Sequence, residues 1–189
     1  MQKIKKTTID STPFGPIALI WKSYNGQPQL LKIILAKPGL PADQEAERLF
    51  PGIRHASTPA VELILTEIVA GMAGEKIEFT SGFLQIDNCS NFQKKVLRAL
   101  PTIFRGMVCS YGNLAAFLGH SQASRAVGTA LATNPFPILI PCHRIIRSDR
   151  SLGGFAGGLQ MKRALLEAEG VRFDRAGRVC KNSILTLLF

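Results

Sequence analysis

A chain of 189 residues can form one or two small domains with a hydrophobic core. Hydrophobic residues make up 46% of it and charged residues 19%, a composition that argues against intrinsic disorder. No apolar run reaches the ~18–20 residues of a membrane span, and MQKIKKTTID lacks the apolar stretch of a secretory signal. The four cysteines form no CxxC pair, so we expect a reducing compartment without a disulfide framework or a finger-type zinc site.

The net charge of +10 is unevenly distributed along the chain. Residues 1–90 hold nine Lys and Arg and nine Asp and Glu, whereas residues 91–189 hold fourteen basic against four acidic residues. The whole excess therefore lies in the second half. Such asymmetry predicts a polyanion-binding domain attached to a neutral one. The alternative interpretation is a generally basic, soluble surface.

The first half predicts an N-terminal mixed α/β domain over residues 1–80, a small antiparallel sheet with helices. The predicted elements are strands at Pro16–Tyr24 and Leu30–Lys37 around a hairpin turn at Asn25-Gly26, helices at Ala42–Phe50 and Ala60–Ala73, and a strand at Lys76–Phe79. No group of residues here suggests chemistry, so we interpret this domain as support.

The second half predicts a mainly helical domain over residues 91–170, after a linker at 81–90 and before a C-terminal tail at 171–189. The predicted helices are Phe92–Phe104, with a kink or an early end at Pro101, then Tyr111–Leu118 and Ser121–Thr133 joined across Gly119, and Leu159–Glu169. Two short helices joined by a glycine-containing turn in a basic domain indicate a winged-helix-like helix-turn-helix. We expect the apolar tail to pack on the N-terminal domain.

The second helix of that pair has an unusual outward face. Arg125, Gly128 and Ala132 share it, whereas a helix that reads the major groove presents polar side chains to base edges. Small residues let the backbone approach the narrower minor groove, where a single long cation can replace an extruded base. The alternative is that the small residues only permit tight helix packing.

The segment NPFPILIPCHRII, residues 134–146, carries the strongest chemical signal. Its three prolines exclude a helix and predict an extended, buried path. A thiol is a useful nucleophile only as its thiolate, and His143 is placed to deprotonate Cys142. Adjacent residues on an extended strand point to opposite faces, so this pair needs a turn of the backbone or a bridging water.

Glu169 and a glycine-rich loop complete the candidate site. Glu169 lies on the apolar face of the last helix, where a carboxylate in the final turn opposes the helix dipole unless it has a partner. His143 is the obvious partner, which predicts a Glu169–His143–Cys142 relay. The loop at 151–158 contains four glycines and places Phe155 where it can stack on a base.

These segments together resemble the O6-alkylguanine-DNA alkyltransferases, also called methylated-DNA–protein-cysteine methyltransferases. The resemblance rests on Asn134-Pro135, IPCHRII, SYGNLAA, SRAVG and GGFAGGLQMKRALLEAEG, and it covers about residues 90–170. It implies irreversible, single-turnover transfer of the alkyl group of O6-alkylguanine in duplex DNA to Cys142, with minor-groove binding and base flipping. O4-alkylthymine is left open as a second substrate. No cofactor is implied, and because no cysteine precedes Cys89, we expect no structural zinc.

The resemblance also implies roles for individual residues. Cys142 is the acceptor nucleophile, and His143 acts as its base through a water molecule. Glu169 orients that histidine, Asn134 orders the turn of the active site, and Tyr111 donates a proton toward guanine N3 as the base leaves.

Two further groups of residues follow from the same resemblance. The residues implied in DNA binding and base flipping are Tyr111, Ser124, Arg125, Ala126 and Gly128. The residues implied in the alkylguanine pocket are Leu131, Pro137, Ile145, Gly153, Phe155 and Ala156. Phe155 and Ala156 stand where some relatives carry Tyr and Ser, which leaves the preference among alkyl groups open.

Three other functions compete with this interpretation. A non-catalytic lesion sensor of the same fold would replace the nucleophile, and the intact Cys142 stands against it. A regulator switched by cysteine alkylation would need a second DNA-binding module or a further acceptor cysteine. A Cys-His hydrolase would leave the basic helix-turn-helix unexplained. We therefore expect alkylated double-stranded DNA as partner, a monomer, no membrane, and a cytoplasmic location or a nuclear one in a eukaryote.

Overall fold

The computed structural model describes residues 3–77 and 81–187. The chain divides into two compact units, Met1–Asn88 with Pro135–Leu139, and Cys89–Asn134 with Ile140–Phe189. The predicted α/β class is confirmed, since the structure combines six helices with two small sheets in these residues. The sequence-based boundaries do not include the excursion of residues 135–139 into the first unit, where Ile33 N donates to Pro135 O at 2.7 Å.

The first unit is built on a four-stranded sheet. Its strands are β1 (Lys5–Ile9), β2 (Ile17–Tyr24), β3 (Gln27–Leu35) and β4 (Arg54–His55), in the order β3-β2-β1-β4. Pairing is antiparallel except between β1 and β4. The predicted hairpin is confirmed: Asn25 and Gly26 both have positive φ, at 50° and 77°, as a tight two-residue turn requires.

Two helices pack beside this sheet, α1 (Ala42–Leu49) and α2 (Pro59–Met72). The side chain of Thr58 accepts from Val61 N at 3.3 Å and caps α2. Both helices lie close to their predicted ranges. Of the strand predicted at Lys76–Phe79, residues 78–79 lie outside the described residues, and the two before them are in no strand.

The second unit contains the remaining helices and a two-stranded parallel ribbon. The helices are α3 (Asn91–Ala99), α4 (Tyr111–Phe117), α5 (Ser124–Ala132) and α6 (Gly158–Ala168), and the strands are β5 (Cys109–Ser110) and β6 (Ile145–Ile146). As predicted, the helix ends early near Pro101: α3 stops at Ala99, and Pro101 lies in the one-turn 3-10 helix Leu100–Thr102 that follows. The predicted α4–α5 pair is present, with Gly119 at φ 78° between them, but α5 begins three residues later than predicted. Within the described residues, no helix is long and apolar enough to cross a bilayer.

The C-terminal tail is part of the second unit. Val108 N donates to Ser183 O and Leu185 N donates to Val108 O, both at 2.8 Å, so the tail runs beside β5. Leu187 N donates to Asn113 Oδ1 at 2.8 Å, in the first turn of α4. These contacts correct the expectation that the tail packs on the N-terminal domain, because a short parallel pairing with residue 108 positions it here.

Candidate active site

The nucleophile segment turns instead of continuing as a strand. Cys142–Arg144 form a one-turn 3-10 helix in which Arg144 N donates to Pro141 O at 3.1 Å. Ile138, earlier in the segment, has a left-handed φ of 75°. The prediction of an extended path through residues 134–146 is therefore wrong, although the segment is largely buried as predicted. The 3-10 turn supplies the turn of the backbone that was one of the two routes expected to link the adjacent Cys142 and His143, the other being a bridging water.

A buried network stands behind the nucleophile. His143 Nε2 lies 2.9 Å from Glu169 Oε1, and both residues are buried. Arg144 donates from Nε to both carboxylate oxygens, at 3.1 and 3.0 Å, and from Nη2 to Oε1 at 2.7 Å. Its Nη1 donates to Ile103 O at 2.8 Å. The carboxylate of Glu169 is thus held by an imidazole and a guanidinium together.

The protonation of this network follows from its burial. Burial opposes ionisation of Glu169, but hydrogen bonds and charge from His143 and Arg144 outweigh it and lower the pKa of Glu169 to about 2. Burial lowers the pKa of His143 although Glu169 opposes this, so the imidazole is neutral at neutral pH. A carboxylate only accepts, so Nε2 carries the proton and Nδ1 the lone pair. Nδ1 is buried and has no hydrogen-bond partner in the described part of the chain, which leaves it available as a base.

The thiol of Cys142 is protonated at rest. The residue is 8% exposed, and burial raises the pKa of its thiol, while a hydrogen bond with Asn134 and the charge of Lys162 act in the opposite direction. Lys162 is fully buried, and its Nζ donates to Ile145 O and to Gly154 O, the latter at 3.2 Å. Burial lowers the pKa of Lys162 to about 8. The site therefore pairs a protonated thiol with a neutral imidazole and a nearby cation that favours the thiolate.

Asn134 closes the excursion of the chain that precedes the nucleophile. Its Nδ2 donates to Ile140 O at 3.2 Å, which joins the two ends of residues 135–139. The same side chain hydrogen-bonds to Cys142. A single amide thus hydrogen-bonds both to the chain that enters the 3-10 turn and to the thiol of Cys142.

A cavity of about 1040 Å³ opens in front of Cys142. Its walls are α4, α5, the turn after β6 and the glycine-rich loop. The predicted site residues that line it are Tyr111, Ser124, Arg125, Gly128, Leu131, Cys142, Gly153, Phe155 and Ala156. The volume is large enough to admit a purine base with an attached alkyl group.

The other predicted site residues lie elsewhere in the described structure. His143 and Glu169 form the buried network behind the cavity, together with Asn134. Ile145 is fully buried and presents its backbone carbonyl to Lys162. The remaining two predicted residues belong neither to the cavity wall nor to these buried groups: Ala126 is exposed on α5, and Pro137 belongs to the first unit.

The outward face of α5 is the one predicted from its sequence. Val127, Ala130 and Leu131 are buried, and the side chain of Gln93 donates to Ala130 O at 3.0 Å. Arg125 is exposed and lines the cavity with Gly128 and Ala132. The helix therefore offers a nearly flat surface of small residues that carries one arginine.

Sequence reasoning missed two charged members of the site, Lys162 and Arg144. Lys162 lies three, four and seven residues before Leu165, Leu166 and Glu169, so it shares their apolar face. That periodicity could have revealed it. The role of Arg144 had no comparable signal, because its acceptors are 25 and 41 residues away. Within residues 3–77 and 81–187, no group of three or more His, Cys, Asp or Glu could hold a metal ion.

Because Gly153 has no side chain, the ring of Tyr111 can lie directly against it at the cavity wall. Replacement of Gly153 therefore tests this geometry. Gly153 has a φ of +66°, and a Cβ there would lie 2.9 Å from Tyr111 Oη and 3.0 Å from Cε2. Gly153→Ala is therefore expected to displace the tyrosine, to slow the alkyl transfer that the resemblance implies by about ten- to hundredfold, and to cost about 1 kcal/mol of stability.

Gly154→Ala is the matched control, since a Cβ at that neighbour meets nothing within 4 Å and its φ is not positive. Single-turnover transfer rates and thermal unfolding of both variants would be compared with those of the wild type. Equal rates for the two variants would show that the position of Tyr111 does not matter.

Comparison with known proteins places this site in a family. Residues 91–171 match the family described as 6-O-methylguanine DNA methyltransferase, DNA binding domain. A methylated-DNA–protein-cysteine methyltransferase of Methanothermobacter thermautotrophicus is 40% identical over 115 residues, which cover 61% of this chain and 64% of that protein. The enzyme of that name from Salmonella typhimurium is 51% identical over 79 residues, or 42% of this chain and 46% of the relative. The chain thus matches less than two thirds of the length of these curated relatives.

Solved structures extend the similarity to both units. The OGT protein of Mycobacterium tuberculosis, crystallised in complex with DNA, is 34% identical with a TM-score of 0.68, and the match covers 87% of this chain and 92% of that one. An O6-methylguanine-DNA methyltransferase of Pyrococcus kodakaraensis is 26% identical with a TM-score of 0.63, covering 90% and 100%. The resemblance stated from the sequence motifs is confirmed: the chain belongs to the O6-methylguanine-DNA methyltransferase family.

Proposed function

We propose that this chain repairs alkylated duplex DNA by moving the alkyl group from O6 of guanine to Cys142, once per molecule. The observation that carries the proposal is Cys142 at the wall of an open cavity beside α5, with the His143–Glu169–Arg144 network buried behind it. The names of the similar proteins support the reaction, and the mycobacterial relative in complex with DNA supports the partner.

The transfer is a direct substitution at the alkyl carbon. His143 Nδ1 takes the thiol proton through a water molecule, and the Glu169 carboxylate stabilises the resulting imidazolium. The thiolate sulfur then forms a bond to the alkyl carbon while the bond from that carbon to O6 breaks and its electron pair passes into the guanine ring. Tyr111, which lines the cavity, supplies a proton at N3 of the departing base. The nearby Lys162 cation stabilises the thiolate until it attacks.

The helix-turn-helix presents the lesion to this site. The small-residue face of α5 fits the minor groove, and Arg125 enters the base stack in place of the extruded nucleotide. Ser124, Ala126 and Gly128 border Arg125 on the same helix and contact the adjoining backbone. A single copy supplies every group named here, so the acting form is a monomer in the compartment that contains the DNA.

The product explains why one molecule acts once. A thioether is a very poor leaving group, and the reaction provides no second nucleophile that would restore the thiol. The alkylated protein is therefore an end product, and alkyl groups transferred cannot exceed protein molecules.

The test is mass spectrometry of the intact protein and of its peptides after incubation with excess O6-methylguanine duplex DNA. The expected result is one added methylene per chain, confined to the Cys142 peptide. Cys180 is an internal control, because it is less buried than Cys142 and would be modified first by non-specific alkylation. Lesion binding without an adduct would favour the sensor, and hydrolysis of a chromogenic ester would favour the hydrolase.

A further inference from the structure

The turn that follows β6 carries a second cation to the wall of the cavity. Arg147 comes directly after β6, five residues beyond the nucleophile, and lines the same cavity as Cys142. The turn is closed by Arg147 N donating to Ser151 O at 2.9 Å and by Arg150 N donating to Arg147 O at 3.0 Å. The backbone at Arg147 is thus fixed, while its side chain is exposed.

The other charged side chains of this turn, Arg150 and Asp149, have hydrogen-bond or ion-pair partners within the protein. Arg150 Nη1 donates to Val179 O at 2.9 Å and lies 3.5 Å from Asp174 Oδ2. Asp149 Oδ1 accepts from Ser151 N at 3.0 Å and from Ser151 Oγ at 2.7 Å. The guanidinium of Arg147, by contrast, makes no direct hydrogen bond or salt bridge with any residue that the structure describes, and its charge acts on Asp149 only through space, where it helps to lower the pKa of that carboxyl.

Arg147 is within electrostatic reach of the groups around the reacting atoms. Burial raises the pKa of Tyr111, and the charge of Arg147 acts against that rise. The same charge contributes to the lowered pKa of Lys162. The charged side chains that line the cavity are Arg125, Arg147 and Asp149, so its wall carries an excess of positive charge.

A guanidinium that has no direct hydrogen-bond partner in such a wall is suited to bind an oxyanion. Its planar N–H donors can form two parallel hydrogen bonds with a phosphate or a carboxylate. We propose that Arg147 is an anion-binding residue of the cavity, which takes either a phosphate beside the extruded nucleotide or a carboxylate on the O6 substituent. This inference rests on the proposed function. It assigns Arg147 to recognition of the substrate and not to the chemistry at Cys142.

The experiment compares Arg147→Gln with Arg175→Gln on four substrates. Arg175 is a matched control, since it is exposed in the 174–177 turn and does not line the cavity. The substrates are duplexes with O6-methylguanine or O6-carboxymethylguanine, and the free bases O6-benzylguanine and O6-(4-carboxybenzyl)guanine. Transfer to Cys142 is measured by mass spectrometry under single-turnover conditions at two salt concentrations.

The four substrates separate the two anions. If Arg147 binds a phosphate, both duplexes react about tenfold more slowly, the free bases are unaffected, and the slope of log affinity against log salt falls by about one. If it binds a lesion carboxylate, only the two carboxylate-bearing substrates slow by about tenfold. In either case Arg147→Lys is expected to recover part of the rate.

Two results would overturn the inference. One is an Arg147→Gln variant that matches Arg175→Gln on all four substrates. The other is an equal loss on every substrate including neutral O6-benzylguanine, which would mean that Arg147 acts on the nucleophile. Failure of the proposed function would look different, because the wild-type protein itself would then transfer nothing from any substrate.

Discussion

Replacement of Cys142 by alanine is expected to abolish alkyl transfer and to leave the affinity for lesion-containing duplex DNA within a few-fold of wild type. The sulfur is the atom that forms the new bond, so no residual rate above the uncatalysed reaction is expected. Binding is retained because the residues that line the rest of the cavity, on α4, α5 and the glycine-rich loop, are unchanged. The side chain is 8% exposed, so losing one buried atom costs about 1 kcal/mol and the fold survives.

Transfer is measured by peptide mass spectrometry and binding by a mobility shift with the same O6-methylguanine duplex. Cys180→Ala is the control, since this half-buried cysteine is expected to have no part in the reaction. The assignment of Cys142 fails if its alanine variant transfers at the wild-type rate. A folded variant that neither transfers nor binds would show instead that the thiol itself recognises the lesion.

The pairing of His143 with Glu169 was predictable from residue types and from their positions within their own segments. Cys142 and His143 are adjacent, and Glu169 lies on the apolar face of a helix where an unpartnered carboxylate is costly. In the structure, His143 Nε2 lies 2.9 Å from Glu169 Oε1. The backbone conformation around Cys142 was less predictable. Prolines that exclude an α-helix still allow one turn of 3-10 helix, because that turn needs only the hydrogen bond from Arg144 N to Pro141 O.

Charged residues held by distant partners escaped sequence reasoning. Lysine is almost never fully buried, so a lysine in a helix is assigned to the surface by default. Lys162 is an exception because the carbonyls of Ile145 and Gly154, from two other segments, accept its protons. Because tertiary structure brings these acceptors to the lysine, no regular spacing in the sequence reveals them.

In the first unit, β1 was missed for a related reason. Its residues KKTTI show no alternation of apolar and polar side chains. The strand is stable because Thr7 is buried and its hydroxyl accepts from Trp21 Nε1 at 2.9 Å, a partner on β2. A buried threonine with a distant donor looks like a surface residue in the sequence, whereas the β2–β3 hairpin carries its own turn signal.

Glu169→Gln is expected to destabilise the protein by about 3 kcal/mol at neutral pH and to slow transfer by about a hundredfold. The amide of glutamine is neutral and turns an N–H donor toward His143 or Arg144, which are donors themselves. His143 then loses its orientation, and the imidazolium that forms during transfer loses its counter-charge. Glu167→Gln is the control on the same helix, since its exposed pair with Arg163 contributes less than ~1 kcal/mol.

The pH dependence of the free energy of unfolding distinguishes the contribution of the Glu169 charge from that of its side-chain packing. The folded-state pKa is lowered from 4.5 to about 2, so the contribution of the ionised carboxylate is complete above about pH 4.5 and is lost as the pH falls toward 2. Urea unfolding of the wild type should therefore show a stability that declines across that window, while the Gln variant lacks this decline and the two curves converge in acid. Transfer is compared at a temperature where circular dichroism shows both proteins to be folded. If the stabilities of the two proteins change in parallel with pH, the buried ion pair is contradicted. If the folded Gln variant transfers at the wild-type rate, Glu169 serves only to hold Arg144 in place.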